Sequence, residues 1–109
     1  MARGKVKFEV GSGNVFKDLG LKNPEERLVK AQLASQIIFI LEDRKLTQTA
    51  AAKILGIAQP KVSNIYRGNL DEFSIERLTR LLNRLHRDVR IVVESKARRR
   101  RGRMIVEAA

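Results

Sequence analysis

The sequence predicts a mainly α-helical protein: a bundle of four to five helices with a short C-terminal strand and a candidate N-terminal strand. Three observations carry that expectation. Residues 23–44 open on helix-start signals and continue with apolar side chains at helical spacing. Residues 46–68 hold two shorter helical patterns, punctuated by Gly56 and Gly68. Residues 89–94 switch to an alternation of period two. A chain of 109 residues has room for one domain with tails. The patterns divide it into an N-terminal arm at 1–22, a helical domain with its strand at 23–94, and a basic flexible tail at 95–109.

In the arm, Val6, Phe8 and Val10 alternate with Lys5, Lys7 and Glu9, which suggests a short strand that ends at Gly11, Ser12, Gly13 and Asn14. Val15, Phe16, Leu19 and Leu21 make the next segment too apolar for a pure linker, so part of it should dock. The first long helix then has a clear start: Asn23 as N-cap, Pro24 at the first helical position, and Glu25 and Glu26 complementing the positive end of the helix dipole. It should run to about Arg44. Leu33, Ile37 and Ile40 have core spacing, with Ala34 and Leu41 beside them. Ile38 and Phe39 point to other faces and are surplus to that core. Such surplus means either a dimer contact or cover by the segment 15–21.

The stretch 46–68 reads L-T-Q-T-A-A-A-K-I-L-G-I-A-Q-P-K-V-S-N-I-Y-R-G. Thr47 can cap its first helix, because its hydroxyl can accept an orphan backbone N–H. Ala51, Ala52 and Leu55 share a face, and the two alanines permit the close backbone approach of steeply crossed helices. Gly56 can take the left-handed conformation where that helix stops. Val62 and Ile65 mark the inner face of the second helix, and Gly68 its end. This is the spacing of a helix-turn-helix, whose second helix is presented to the DNA major groove. Gln59, Pro60, Ser63 and Asn64 fall on the outward side. Gln and Asn amides place a donor beside an acceptor, matching the N6/N7 edge of adenine. Taken singly, each is equally an ordinary polar residue on a solvated helix.

These residues resemble the phage-repressor-like, or Xre, helix-turn-helix family, which has the lambda-repressor-like fold. L-T-Q, then A-A-K-I-L-G-I, then Q-P-K-V-S-N-I-Y-R-G look like that family's second helix, turn and third helix. The resemblance implies a phosphate contact for Gln48, base contacts for Gln59, Pro60 and Asn64 with Ser63 alongside, and DNA-backbone contacts for Lys61, Arg67 and Asn69. Ala58 departs from the family's frequent Ser or Thr cap, and Gln59 itself is a candidate cap. The arm, the single helix-turn-helix and the C-terminal strand together look like the HigA-type antitoxins over roughly residues 10–94.

The next helix starts near Ser74, a plausible N-cap, with Phe73 and Leu78 placed for a hydrophobic staple. Arg77 stands where a capping box would need Glu or Gln. Ile75, Leu78, Leu82 and Leu85 form its inward stripe, broadened by Leu81. Arg84, His86 and Arg87 follow in the last turn, where cations are favoured, so His86 reads as a helix-end residue. In 89–94, Val89, Ile91 and Val93 alternate with Arg90, Val92 and Glu94. A lone strand cannot satisfy its backbone, so it needs a partner. The candidates are the N-terminal strand and, preferred here, the same strand of a second subunit; a swapped sheet using both also fits. Tail residues Lys96, Arg98, Arg99, Arg100, Arg101 and Arg103 are six cations in eight residues, suited to DNA phosphates but also to a membrane surface or to solvent alone.

Composition narrows the function classes. Lys and Arg number 23 against 12 Asp and Glu, a formal net charge of +11, which points to a polyanionic partner. The sequence has no Cys and a single His, which leaves no thiolate or His-cluster metal site and calls for no cofactor. No nucleophile–base set or phosphate-cradling glycine loop is apparent, so no catalytic residue is expected. The longest apolar run, residues 37–41, is too short to span a membrane, and the N-terminus lacks a signal-like apolar stretch; a cytoplasmic protein is the expectation. The expected function is a sequence-specific repressor acting on double-stranded operator DNA as a homodimer. The resemblance adds a role as antitoxin to a RelE/HigB-type toxin within an autoregulated operon. The alternative is a stand-alone phage-type regulator without a toxin.

Overall fold

The computed structural model of the chain describes residues 6–7, 14–95 and 101–108. Five helices follow one another: α1 (Val15–Asp18), α2 (Pro24–Asp43), α3 (Gln48–Leu55), α4 (Gln59–Arg67) and α5 (Ile75–Arg84). Two very short strands flank them, β1 (Val6–Lys7) and β2 (Glu107–Ala108), paired antiparallel with Val6 opposite Ala108. The fold is therefore mainly helical, as the sequence predicts.

The core is a single cluster. The expected α2 residues Leu33, Ala34, Ile37, Ile40 and Leu41 are all buried, joined by Val29. They meet Ala51 and Leu55 of α3, Val62 and Ile65 of α4, Leu78, Leu81 and Leu82 of α5, and Leu85. Leu70 and Phe73 plug the connection between α4 and α5. Phe73 and Leu78 are both buried on either side of Ser74, whose hydroxyl accepts from Arg77 N at 2.9 Å. The staple and the cap thus start α5 without a capping box.

Several local expectations are corrected. Asn23 occupies the N-cap position of α2, but its backbone is left-handed (φ 51°) and its side chain makes no cap bond. The capping asparagine in this region is Asn14, whose Oδ1 accepts from Phe16 N and Lys17 N while its Nδ2 donates to the Pro24 carbonyl. That anchors α1 at the beginning of α2, with Phe16 half-buried beside Asn23, Glu26, Arg27 and Lys30. Part of the segment 15–21 therefore docks, through Phe16 while Val15, Leu19 and Leu21 stay exposed, and it does so at the opposite end of α2 from Ile38 and Phe39. Ile38 is not surplus either: it is half-buried and packs on the core, leaving Phe39 as the exposed member of the pair.

Residues 89–94 form no strand in the single chain, and Ile91 and Val93 are 87% and 93% exposed. The reason is the one that made a partner necessary: an isolated strand has nothing to accept its hydrogen bonds. The C-terminal strand lies further along, at Glu107–Ala108, and it, rather than 89–94, pairs with the N-terminal strand. Within the tail, Arg101 reaches Glu25 Oε1 at 3.1 Å, Met104 N donates to Glu25 Oε2 at 3.1 Å, and Val106 packs on the core. The expectation of a flexible tail thus gives way to a docked stretch over 101–108, held where the negative charge of Glu25 begins α2. Arg98, Arg99 and Arg100 lie outside the described residues.

Candidate nucleic-acid interface

The interface is built on α3, the turn and α4. Thr47 caps α3 as expected, its Oγ1 accepting from Ala50 N at 3.1 Å. Ala51 is fully buried at the crossing of the two helices. Gly56 ends α3 at φ +71°, and Gly68 ends α4 at φ +75°. The N-cap of α4 is Ala58, which has no side chain to offer, so Gln59 is the first helical residue and not the cap. Pro60 suits the first turn, because its missing N–H would have been an orphan there.

Burial separates two sides of α4. Val62 and Ile65 are buried, while Gln59, Pro60, Arg67 and the following Asn69 are exposed and Lys61, Ser63 and Asn64 are half-buried. All of the expected contact residues on α4 thus lie off its core face. Gln48, the expected phosphate contact, is half-buried at the start of α3 and faces α4, where Ser63 Oγ lies 2.6 Å from its Oε1. Thr49 Oγ1 lies 3.3 Å from Gln59 Oε1. Two side-chain bonds therefore tie the outer edges of the helices together above the apolar crossing. Arg67 Nη2 donates to Asn64 Oδ1 at 2.7 Å.

Lys61, expected to touch the DNA backbone, lies 3.5 Å from Glu72 Oε1 and 5.8 Å from the centre of the Phe73 ring. An exposed ion pair of that length is worth no more than about 1 kcal/mol, so the ammonium can exchange Glu72 for a phosphate at small cost.

Three residues have roles of consequence that sequence reasoning did not single out. Thr49 orients Gln59 from ten residues away, a link that periodicity does not signal. Arg84 was read only as a helix-end cation. Its Nε donates to the Ile54 carbonyl at 2.8 Å, so α5 holds the C-terminal end of α3 through a charged bond where carbonyls are unpaired. Arg44 does the same at the far end of α2, donating to the Leu85 carbonyl at 2.7 Å. Arg84 thus braces the helix-turn-helix against α5, while Arg44 ties the end of α2 to the end of α5.

Among the described residues no cluster of His, Cys, Asp or Glu could hold a metal ion, and no helix is long and apolar enough to cross a membrane.

A family model described as a helix-turn-helix domain matches residues 15–94 of the chain. A solved structure named as an XRE-family transcriptional regulator is 46% identical, with the match covering 78% of this chain and 97% of that one at a TM-score of 0.74. No curated protein matches the chain significantly.

Proposed function

The chain belongs to the helix-turn-helix domain family as an XRE-type DNA-binding transcriptional regulator, and on that premise we propose that it is a sequence-specific repressor. It reads its operator as a homodimer and serves as the antitoxin of a type II toxin–antitoxin module, autoregulating its own operon. The observation that carries the DNA reading is the outward row of α4. Gln59, Pro60 and Asn64 stand off the core face on a helix whose edge is bonded to α3, so the amides reach a groove from a rigid frame. Gln48 and Arg67, with Lys61 and Asn69, supply the flanking phosphate contacts; Arg98, Arg99, Arg100 and Arg103, and Arg101 on exchanging Glu25 for a phosphate, add grip without sequence information.

Dimerisation is supported by the exposed apolar side chains of 89–93. Val89, Ile91 and Val93 form one side of an extended segment that pairs with its copy in a second subunit, with Phe39 as a further exposed contact. Two such subunits place their reading helices on half-sites about 34 Å apart. The toxin role rests on the resemblance of the arm, helix-turn-helix and C-terminal segment to HigA-type antitoxins, with a RelE/HigB-type endoribonuclease as partner. One observation favours the alternative of a stand-alone phage-type regulator: a net charge of +11 opposes a small basic toxin.

The test has two arms. In a binding-site selection, Gln59→Ala should cost about 1–3 kcal/mol at one base position and relax the preference there; unchanged preference would remove Gln59 as a reader. Co-purification with the product of the neighbouring gene, followed by an operator footprint, decides the toxin role. A neighbour that neither binds nor alters the footprint leaves the stand-alone regulator.

A further inference from the structure

Three side-chain amides stand at the outer edge of α3 and α4, and each has its oxygen engaged from within the protein. Ser63 Oγ lies 2.6 Å from Gln48 Oε1, Thr49 Oγ1 lies 3.3 Å from Gln59 Oε1, and Arg67 Nη2 lies 2.7 Å from Asn64 Oδ1. The last pairing sets its amide's orientation outright: a guanidinium can only donate, so the oxygen of Asn64 must face it. The two hydroxyls donate in the same sense. An amide whose oxygen is engaged offers its NH2 group, with two donors, to whatever approaches.

We propose that this face is polarised as a donor surface and selects bases by their acceptors, with guanine favoured where Gln59 and Asn64 read. The proposal deepens the repressor reading above and rests on it. Guanine presents two adjacent acceptors in the major groove, N7 and O6. Adenine pairs one acceptor with the N6 donor, and cytosine presents only the N4 donor. Side-by-side recognition of adenine needs the amide oxygen turned to N6–H, and here each oxygen is turned to a donor within the protein. Gln48 follows the same rule toward phosphate, whose oxygens only accept. Thr49 and Arg67 are then positioning residues: they determine which end of each amide is turned outward.

The experiment uses the full chain on randomised duplex DNA. The selected site is then remade with 7-deazaguanine, which lacks the N7 acceptor, and separately with purine lacking the 6-amino group in place of adenine. The 7-deaza change at the positions read by Gln59 and Asn64 should weaken binding about fivefold or more, the size of one missing hydrogen bond. Removing the 6-amino group should matter by less than about twofold. Arg67→Ala should admit adenine at the Asn64 position, a change of base preference beyond any uniform weakening from one fewer phosphate partner. Thr49→Val should do the same for Gln59. A larger effect from the missing amino group than from the missing N7, or base preferences that neither variant alters, overturns the proposal and leaves the repressor reading standing. A selection that recovers no preferred site overturns both.

Discussion

Gly56→Ala tests how α5 is tied to the helix-turn-helix. Gly56 sits at φ +71°, where an L side chain crowds the following carbonyl and costs about 1–2 kcal/mol. A Cβ there would also come within 3.1 Å of Arg84 Cζ and 3.2 Å of its Nη2. The guanidinium must shift slightly to admit it, which strains the 2.8 Å bond to the Ile54 carbonyl, and because Arg84 is exposed that bond is worth at most about 1 kcal/mol after solvent screening. Gly68→Ala is the matched reference: φ is +75°, with nothing within 4 Å of the new Cβ. Urea denaturation should therefore give a loss of about 1–2 kcal/mol for Gly68→Ala and about 2–3 kcal/mol for Gly56→Ala. In an Arg84→Ala background the Gly56→Ala cost should fall to that of Gly68→Ala, a coupling of about 1 kcal/mol in a double-mutant cycle. Equal losses at the two glycines, or no coupling to Arg84, would refute the brace.

Three other perturbations address the interface, the tail and the core. Ile91→Asp puts a charge on the exposed apolar side of 89–93 and should give a monomer by sedimentation; a variant that stays dimeric moves the interface elsewhere, toward Phe39. Deleting residues 96–109 should weaken binding to all DNA and flatten the plot of log K against log salt by about 0.9 for each phosphate that the tail neutralises; an unchanged slope would show that it neutralises none. Burial, with a smaller contribution from Glu42, raises the Tyr66 hydroxyl above its ordinary range. The folded state then holds its proton more tightly than the unfolded state. That contribution is fully present below the ordinary tyrosine range and is lost as pH rises through the folded value. Tyr66→Phe should flatten the alkaline decline in stability, and superimposable alkaline curves would refute the linkage.

Local signals were enough wherever one residue and its near neighbours settle the outcome. Thr47 and Ser74 cap their helices, Gly56 and Gly68 end theirs in the left-handed region, and Leu33, Ile37, Val62, Ile65 and Leu78 are buried as their spacing predicts. The helix-turn-helix was legible for this reason: its turn and caps are local, and its core face follows from a period of 3.6.

Pairings distant in sequence were not legible. Asn23 looked like a cap, but Asn14 is the side chain that bonds across to Pro24, so the start of α2 depends on where α1 docks. The Arg84 and Arg44 braces join residues 30 and 41 positions apart, and no periodicity announces them. Ile38 and Phe39 are adjacent and similar in hydropathy; only packing made one half-buried and the other exposed. The segment 89–94 has a strand's alternation but takes strand form only when a neighbouring strand accepts its backbone bonds, and among the described residues it forms no strand. Sequence alone thus determined the four longer helices, their core faces and the DNA-reading motif, because those follow from near-neighbour sterics and periodic burial. Only the tertiary structure decided which partner each outward amide oxygen takes and what holds the helix-turn-helix in place, because those are pairings between segments whose separation the chain leaves open until it folds.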